Sequence, residues 1–303
     1  MKKLIPFLIF LMLLSGCGKT EAPPDIAATT LPVFEFTQAL CQDTPLRVER
    51  LITESVSCLH DYALKVDQVK TAEAAQTLVI SGAGLEEFME DILDDSKTID
   101  ASRGIDLLGD GEEDHADHQK EDSHHHEDGH HHEDGHHHES DPHIWLSPEN
   151  AKRMAQNICR GLTDRYPRYA DTFRKNLTPL LEKLDALEAY GHQQLETLSC
   201  RELITFHDGF SYFAQAFDLE ILAAVEEESG SEASAKELIG LITLVRSRGV
   251  PAIFTETNGS PSAAGIIGAE TGVKIRALDM AMAGDSYFDA MYRNIRAIKE
   301  AME

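Results

Sequence analysis

From Tyr169 to Leu198 the chain keeps helical spacing without a break. Leu177, Leu180, Leu181, Leu184, Leu187 and Tyr190 recur at three- and four-residue steps. A helix of roughly 30 residues is about 45 Å long. That is too long for an ordinary packing element and suits a strut between two lobes. Pro179 sits inside it and predicts a kink. On both sides of the strut, short apolar runs alternate with amphipathic stretches. Before it, "LPVFEF" reads as the start of a buried strand and "LRVERLIT" as a second strand. "KTAEAAQTLVISG" reads as a helix then a strand, and "LEEFMEDILDDS" as a helix with Leu85, Phe88, Met89 and Ile92 on one side. "SPENAKRMAQNI" opens a helix with proline at its first position. After the strut, "ELITFHDGFSYFAQAF", "LEILAAVE", "SAKELIGLITLVRSRG", "VPAIFTET", "SAAGIIGAETG", "VKIRALD" and "DSYFDAMYRNIRAIKEAM" continue the alternation. The expected fold is α/β, with two lobes joined by a long rigid helix.

The first residues stand apart. "MKKLIPFLIFLMLLSGC" has two lysines, an apolar run from Leu4 to Leu14, and then Ser15-Gly16-Cys17. The run is shorter than the ~20 residues that span a bilayer and reads as a secretory signal peptide. Leu14-Ser15-Gly16-Cys17 matches a bacterial lipobox, so Cys17 is the expected lipidation site and membrane anchor. The expected boundaries are signal peptide 1–16, tether 17–30, N-terminal lobe 31–165, linking helix 166–198 and C-terminal lobe 199–303. The location is then extracytoplasmic, in the periplasm or on the outer face of the cell membrane.

Twenty-seven Lys and Arg against 53 Asp and Glu give a net charge of −26, which argues against nucleic acid as a partner. Residues 110–140 hold much of that acidity, and eleven of the fifteen histidines, in a core that repeats "HHHEDG". Six residues with no apolar position build no core. This segment reads as a disordered, metal-attracting loop inserted in the N-terminal lobe. Cys41, Cys58, Cys159 and Cys200 remain after Cys17. Outside the cytoplasm an even number suggests disulfides, with Cys41–Cys58 the expected pair, so that neighbouring cysteines join within each half.

Four histidines lie outside the tract: His60, His143, His192 and His207. His192 falls among polar neighbours on the long helix and reads as a solvated surface residue. The others flank regular elements in "CLHDYAL", "DPHIW" and "TFHDGF". His207 directly follows a strand, as do Asp279 after "VKIRAL" and Glu256 after "AIFT". Ligands of open α/β sheets bind at the carboxyl ends of strands. Three imidazoles plus one oxygen make a tetrahedral zinc set. Asp61, Asp141 and Asp208 stand beside the three histidines, where they could orient the rings. Each histidine also reads plainly as a hydrogen-bonded loop residue.

Longer stretches carry a resemblance. "CLHDYALKVDQV" is similar to "PHDYxLxPSD", "SGAGLEEFM" to "GxGLExW", "DPHIWLSPENA" to "DPHxWLSPxNA", "TFHDGFSYFAQAFDLE" to "xHxAFxYFAxxYGL", and "LDMAMAGDSYFDAMYRNI" to "LDPLxxxxxSYxxMMRxN". In that order they resemble the zinc-binding branch of the zinc/manganese substrate-binding lipoproteins of bacterial ABC importers. The resemblance implies metal in the cleft between two lobes, with His60, His143 and His207 at the histidine positions and Asp279 at the carboxylate position. It also implies a monomer that works with a membrane permease and its ATPase. Histidine rather than carboxylate at 207 favours Zn2+ over Mn2+. Three positions depart from the pattern: Leu59 stands where some zinc members have a carboxylate, "SVSC" replaces a proline-rich approach, and Met280 replaces the proline after Asp279. Glu256 or water is therefore the alternative fourth ligand. The implied function is capture of Zn2+ for import, with no catalysis, the tract gathering or buffering the ion. The alternatives are a metal-buffering or adhesive surface lipoprotein, and a zinc hydrolase, for which neither HExxH nor a nucleophile elbow is present.

Overall fold

Among the described residues, eight strands form two parallel four-stranded sheets, and both sheets have the same order. The computed structural model describes residues 22–54, 56, 59, 62–109, 140–226, 234–257 and 262–303. In the N-terminal lobe β1 (Ile26–Ala28), β2 (Val48–Arg50), β3 (Thr77–Ile80) and β4 (Thr98–Asp100) lie in the order β2-β1-β3-β4. In the C-terminal lobe β5 (Glu202–His207), β6 (Glu220–Glu226), β7 (Ala252–Glu256) and β8 (Lys274–Leu278) lie in the order β6-β5-β7-β8. Each sheet therefore reverses its winding beside its first strand. The crevice there, at the strands' carboxyl ends, is where such sheets hold ligands.

Helices α1 (Leu31–Leu40), α2 (Val66–Ala74) and α3 (Pro148–Arg165) belong to the first half. The second half contains α5 (Ser211–Ala216), α6 (Ala235–Arg248), α7 (Ser262–Thr271) and α8 (Tyr287–Met302). The long helix, α4, runs from Ala170 to Leu195 and continues through Pro179 as one element. It is no bare strut. It packs against α1, α3 and α8, and Phe173, Leu180, Leu184, Leu187 and Leu195 are buried, each contributing about 1.5–3 kcal/mol. One apolar core runs from β1 through α4 to α5 and α8, so the lobes share it. A second, smaller core lies beneath α6 and α7, on the other face of the C-terminal sheet.

Several expectations need correction. The tether does not reach residue 30, because Ile26–Ala28 is a fully buried central strand. Three residues are too few to show alternation. "LPVFEFTQAL" is α1 rather than a strand. Thr30 stands at its N-cap position and Pro32 in its first turn, and Val33, Phe36, Thr37 and Leu40 are buried at helical spacing. "LEEFMEDIL" forms only a 3-10 helix, Glu87–Ile92, because the Glu86 side chain folds back onto the preceding turn. That turn needs glycine at 82: φ is +80°, and a Cβ there would stand 2.0 Å from Asp100 Oδ1. The short strand β4 had no sequence signal. Cys41, Cys159 and Cys200 are free thiols, so neither expected disulfide forms in this structure; Cys58 lies outside the described residues. Burial pushes the Cys41 thiol up to about 12. The signal peptide, Cys17 and residues 110–139 of the tract also lie outside the described residues. Among those described, no helix is long and apolar enough to cross a membrane.

Candidate metal centre

Strand register builds one half of the site. Side chains alternate along a strand, so Leu203, Thr205 and His207 share one face of β5, while Ile204 and Phe206 face the smaller core under α6 and α7. On β7, Ala252, Phe254 and Glu256 share a face, and Ala252 and Phe254 join the common core. Thr205 is paired with Phe254 in the parallel register. Two residues further on, His207 and Glu256 emerge side by side at the carboxyl end, with Nδ1 and Oε1 3.6 Å apart. Both are almost fully buried. Gly209 leaves room for this ring: a Cβ there would lie 2.7 Å from both His207 Cδ2 and Met280 Cε.

The other half comes from the N-terminal lobe. His143 precedes a 3-10 turn, Ile144–Leu146, that leads into α3. Asp141 Oδ1 accepts the His143 backbone N–H at 2.9 Å and lies 2.8 Å from Nδ1. When Nδ1–H donates to the Asp141 carboxylate, His143 presents the Nε2 lone pair. That nitrogen stands 3.3 Å from His207 Nε2, and the rings meet edge to face with centroids 5.1 Å apart. Two lone pairs at this distance repel unless a proton or a cation lies between them. Nitrogens each 2.0–2.1 Å from a tetrahedral zinc are about 3.3–3.4 Å apart. His143 is 2% and His207 4% exposed, so an ion here would be shielded from water.

Of the remaining expected residues, Asp279 and His192 stand apart from this pair. His60 and Asp61 lie outside the described residues; Leu59 before them is buried, and Leu51 and Ile52 extend the β1–β2 ladder. Asp279 lies one residue beyond β8, two strands across from His207. Its Oδ1 accepts the Ala281 amide at 2.9 Å and its Oδ2 accepts from Arg293 at 2.9 Å. Among the described residues, no group of three or more His, Cys, Asp or Glu is arranged to hold a metal. His192 is exposed on α4, with its ring against Phe217. Two contributors gave no distinct sequence signal. Trp145 Nε1 donates to the Met280 carbonyl at 2.7 Å, and the Tyr212 hydroxyl donates to the Asp141 carbonyl at 3.1 Å. Both side chains are fully buried.

Residues 26–301 match the family described as zinc-uptake complex component A, periplasmic (ZnuA). The chain belongs to this family. Curated ZnuA relatives include the zinc-binding lipoprotein AdcA of Streptococcus pneumoniae, 31% identical over 97% of this chain and 59% of AdcA. The chain thus spans little more than half of that relative's length. The high-affinity zinc uptake system protein ZnuA of Bacillus subtilis is 27% identical over 96% of this chain and 94% of its own. The crystal structure of the Zn(II)-bound ZnuA-like domain of S. pneumoniae AdcA superposes with a TM-score of 0.73 at 28% identity, covering 92% of this chain and 99% of that domain. The two-lobed parallel α/β architecture is that of this family.

Proposed function

We propose that this protein is an extracytoplasmic solute-binding lipoprotein, anchored through Cys17, that captures Zn2+ and hands it to an ABC permease and its ATPase. His60, His143 and His207 are its nitrogen ligands, and Asp279, Glu256 or water supplies the oxygen. The protein acts as a monomer and not as an enzyme. The observation that carries this reading is the buried pair of Nε2 atoms, one from each lobe, 3.3 Å apart. Membership of a family described as a periplasmic zinc-uptake component supports it, as does a zinc-bound neighbour of the same fold. Zinc is favoured over manganese because the converging atoms are imidazole nitrogens rather than hard oxygens. The tract is the weaker store: a sequence with no apolar position to build a core must be ordered at each binding event, which costs affinity. Titration of zinc into the chain with and without residues 110–140 tests the division of roles. The tightest site should survive deletion; its disappearance would assign high-affinity capture to the tract.

A further inference from the structure

A buried hydroxyl takes part in the link between the two lobes beside the histidine pair. Tyr212 lies in the first turn of α5, five residues after His207 at the end of β5, and is 1% exposed. Its oxygen accepts the Leu108 amide at 2.9 Å and donates to the Asp141 carbonyl at 3.1 Å. Leu108 and Asp141 are themselves joined, the Asp141 amide donating to the Leu108 carbonyl at 2.9 Å. These are the two chain segments that lead into and out of the histidine-rich insertion. Asp141 is also the residue whose carboxylate holds both the backbone and Nδ1 of His143. α5 in turn packs against the Ile144–Leu146 turn on the other side of His143.

We infer that Tyr212 is a positioning residue for zinc capture: from the segment that carries His207 it grips the chain two residues before His143, and so sets the distance between the two imidazoles. The inference rests on the proposed zinc site. The hydroxyl acts through main-chain atoms of the N-terminal lobe. It fixes Asp141, Asp141 fixes the His143 ring, and the same short segment fixes His207. The closed ring of Tyr212, Asp141, His143 and His207 makes the Nε2 spacing a property of the folded protein before metal arrives, so little ordering cost is left for binding. The clamp also joins the ends of the insertion, so residues between Leu108 and Asp141 can be removed without opening this corner.

Tyr212→Phe removes one oxygen and keeps the ring. It is tested in the full chain and in the chain lacking residues 110–139, beside His143→Ala. The expected result is about a 10-fold loss of zinc affinity in competition with a chelator, the scale on which partners of metal ligands act. A changed visible spectrum of the cobalt-substituted protein should accompany it, with the same loss in both backgrounds. Native affinity and a native cobalt spectrum in Tyr212→Phe, while His143→Ala has lost binding, would overturn the inference and leave the zinc site standing. So would a loss confined to the chain that keeps the tract. Unchanged binding in His143→Ala removes the zinc site itself, and the inference with it. Should the phenylalanine variant not fold, amide exchange in the native chain decides: protection of the Leu108 amide before zinc is added supports the clamp, and exchange at the rate of an open loop contradicts it.

Discussion

The two lobes have the same strand order, yet the crevice at their central strands is filled in opposite ways. In the N-terminal lobe a buried glutamate closes it. Glu86 Oε1 accepts the Thr29 hydroxyl at 2.6 Å and the Ser81 amide at 2.8 Å, and Oε2 accepts the Gly82 amide at 2.9 Å, so the chain ends of β1 and β3 are tied to one another. In the C-terminal lobe the equivalent strand ends, β5 and β7, carry His207 and Glu256, and His207 turns to a histidine of the other lobe. One crevice spends its polar groups on itself and stiffens the sheet. The other directs them outward to its partner lobe, where the proposed cation site lies. A shared topology thus fixes where a site can be, while the residue at the strand end decides whether there is one.

The largest effect should come from breaking the binding crevice. His143→Ala and His207→Ala should each lower zinc affinity by more than the roughly 100-fold upper range for partners of ligands, measured by chelator competition. His60→Ala should match them, and an unchanged affinity would remove His60 from the ligand set. Next, the two carboxylates sort the fourth position. Glu256→Ala removes the group beside His207 Nδ1 and should cost about 10- to 100-fold, whereas Asp279→Ala should cost less, because water replaces one oxygen and Asp279 is already engaged by Arg293. A larger loss from Asp279 would show that its carboxylate leaves Arg293 for the metal.

Glu86 sharpens the comparison through pH. Burial pushes its carboxyl up from 4.5 to about 7, against three hydrogen bonds that favour the charged form. A carboxyl raised on folding contributes stability that is fully present below about 4.5 and lost as pH rises through 7. Glu86→Gln cannot titrate. In chelator, its deficit in unfolding free energy relative to the native chain should therefore shrink between these limits, by at most about 3 kcal/mol. A deficit that grows with pH would mean that Glu86 is charged throughout. His192→Ala, on the exposed face of α4, should change zinc affinity by less than twofold, and an effect equal to that of His143 would misplace the site.

Much of this arrangement was readable from residue order. The strand–helix alternation and the long leucine-spaced helix announced two lobes, and a histidine directly after "ELITF" announced a polar group at a strand end, where the structure buries it. What was hidden has physical reasons. β1 and β4 are three residues each, too short for a periodic signal. α1 begins with an apolar run that imitates a strand until Pro32 and the i, i+3, i+4, i+7 burial are seen together. The pairing of His207 with Glu256 depends on strand register, and the closeness of His143 on lobe packing; neither is local in sequence. Tyr212 acts through one oxygen bonded to main-chain atoms 71 and 104 residues away, which no spacing rule detects.

The central claim is that the cleft histidines, and not the repeats, hold the ion most tightly. A crystal structure of the zinc-loaded chain lacking residues 110–139, phased at the zinc edge, tests it directly. The account predicts a single strong anomalous peak about 2.0–2.1 Å from both His143 Nε2 and His207 Nε2. Full-occupancy zinc elsewhere, with these two rings unligated, would contradict it.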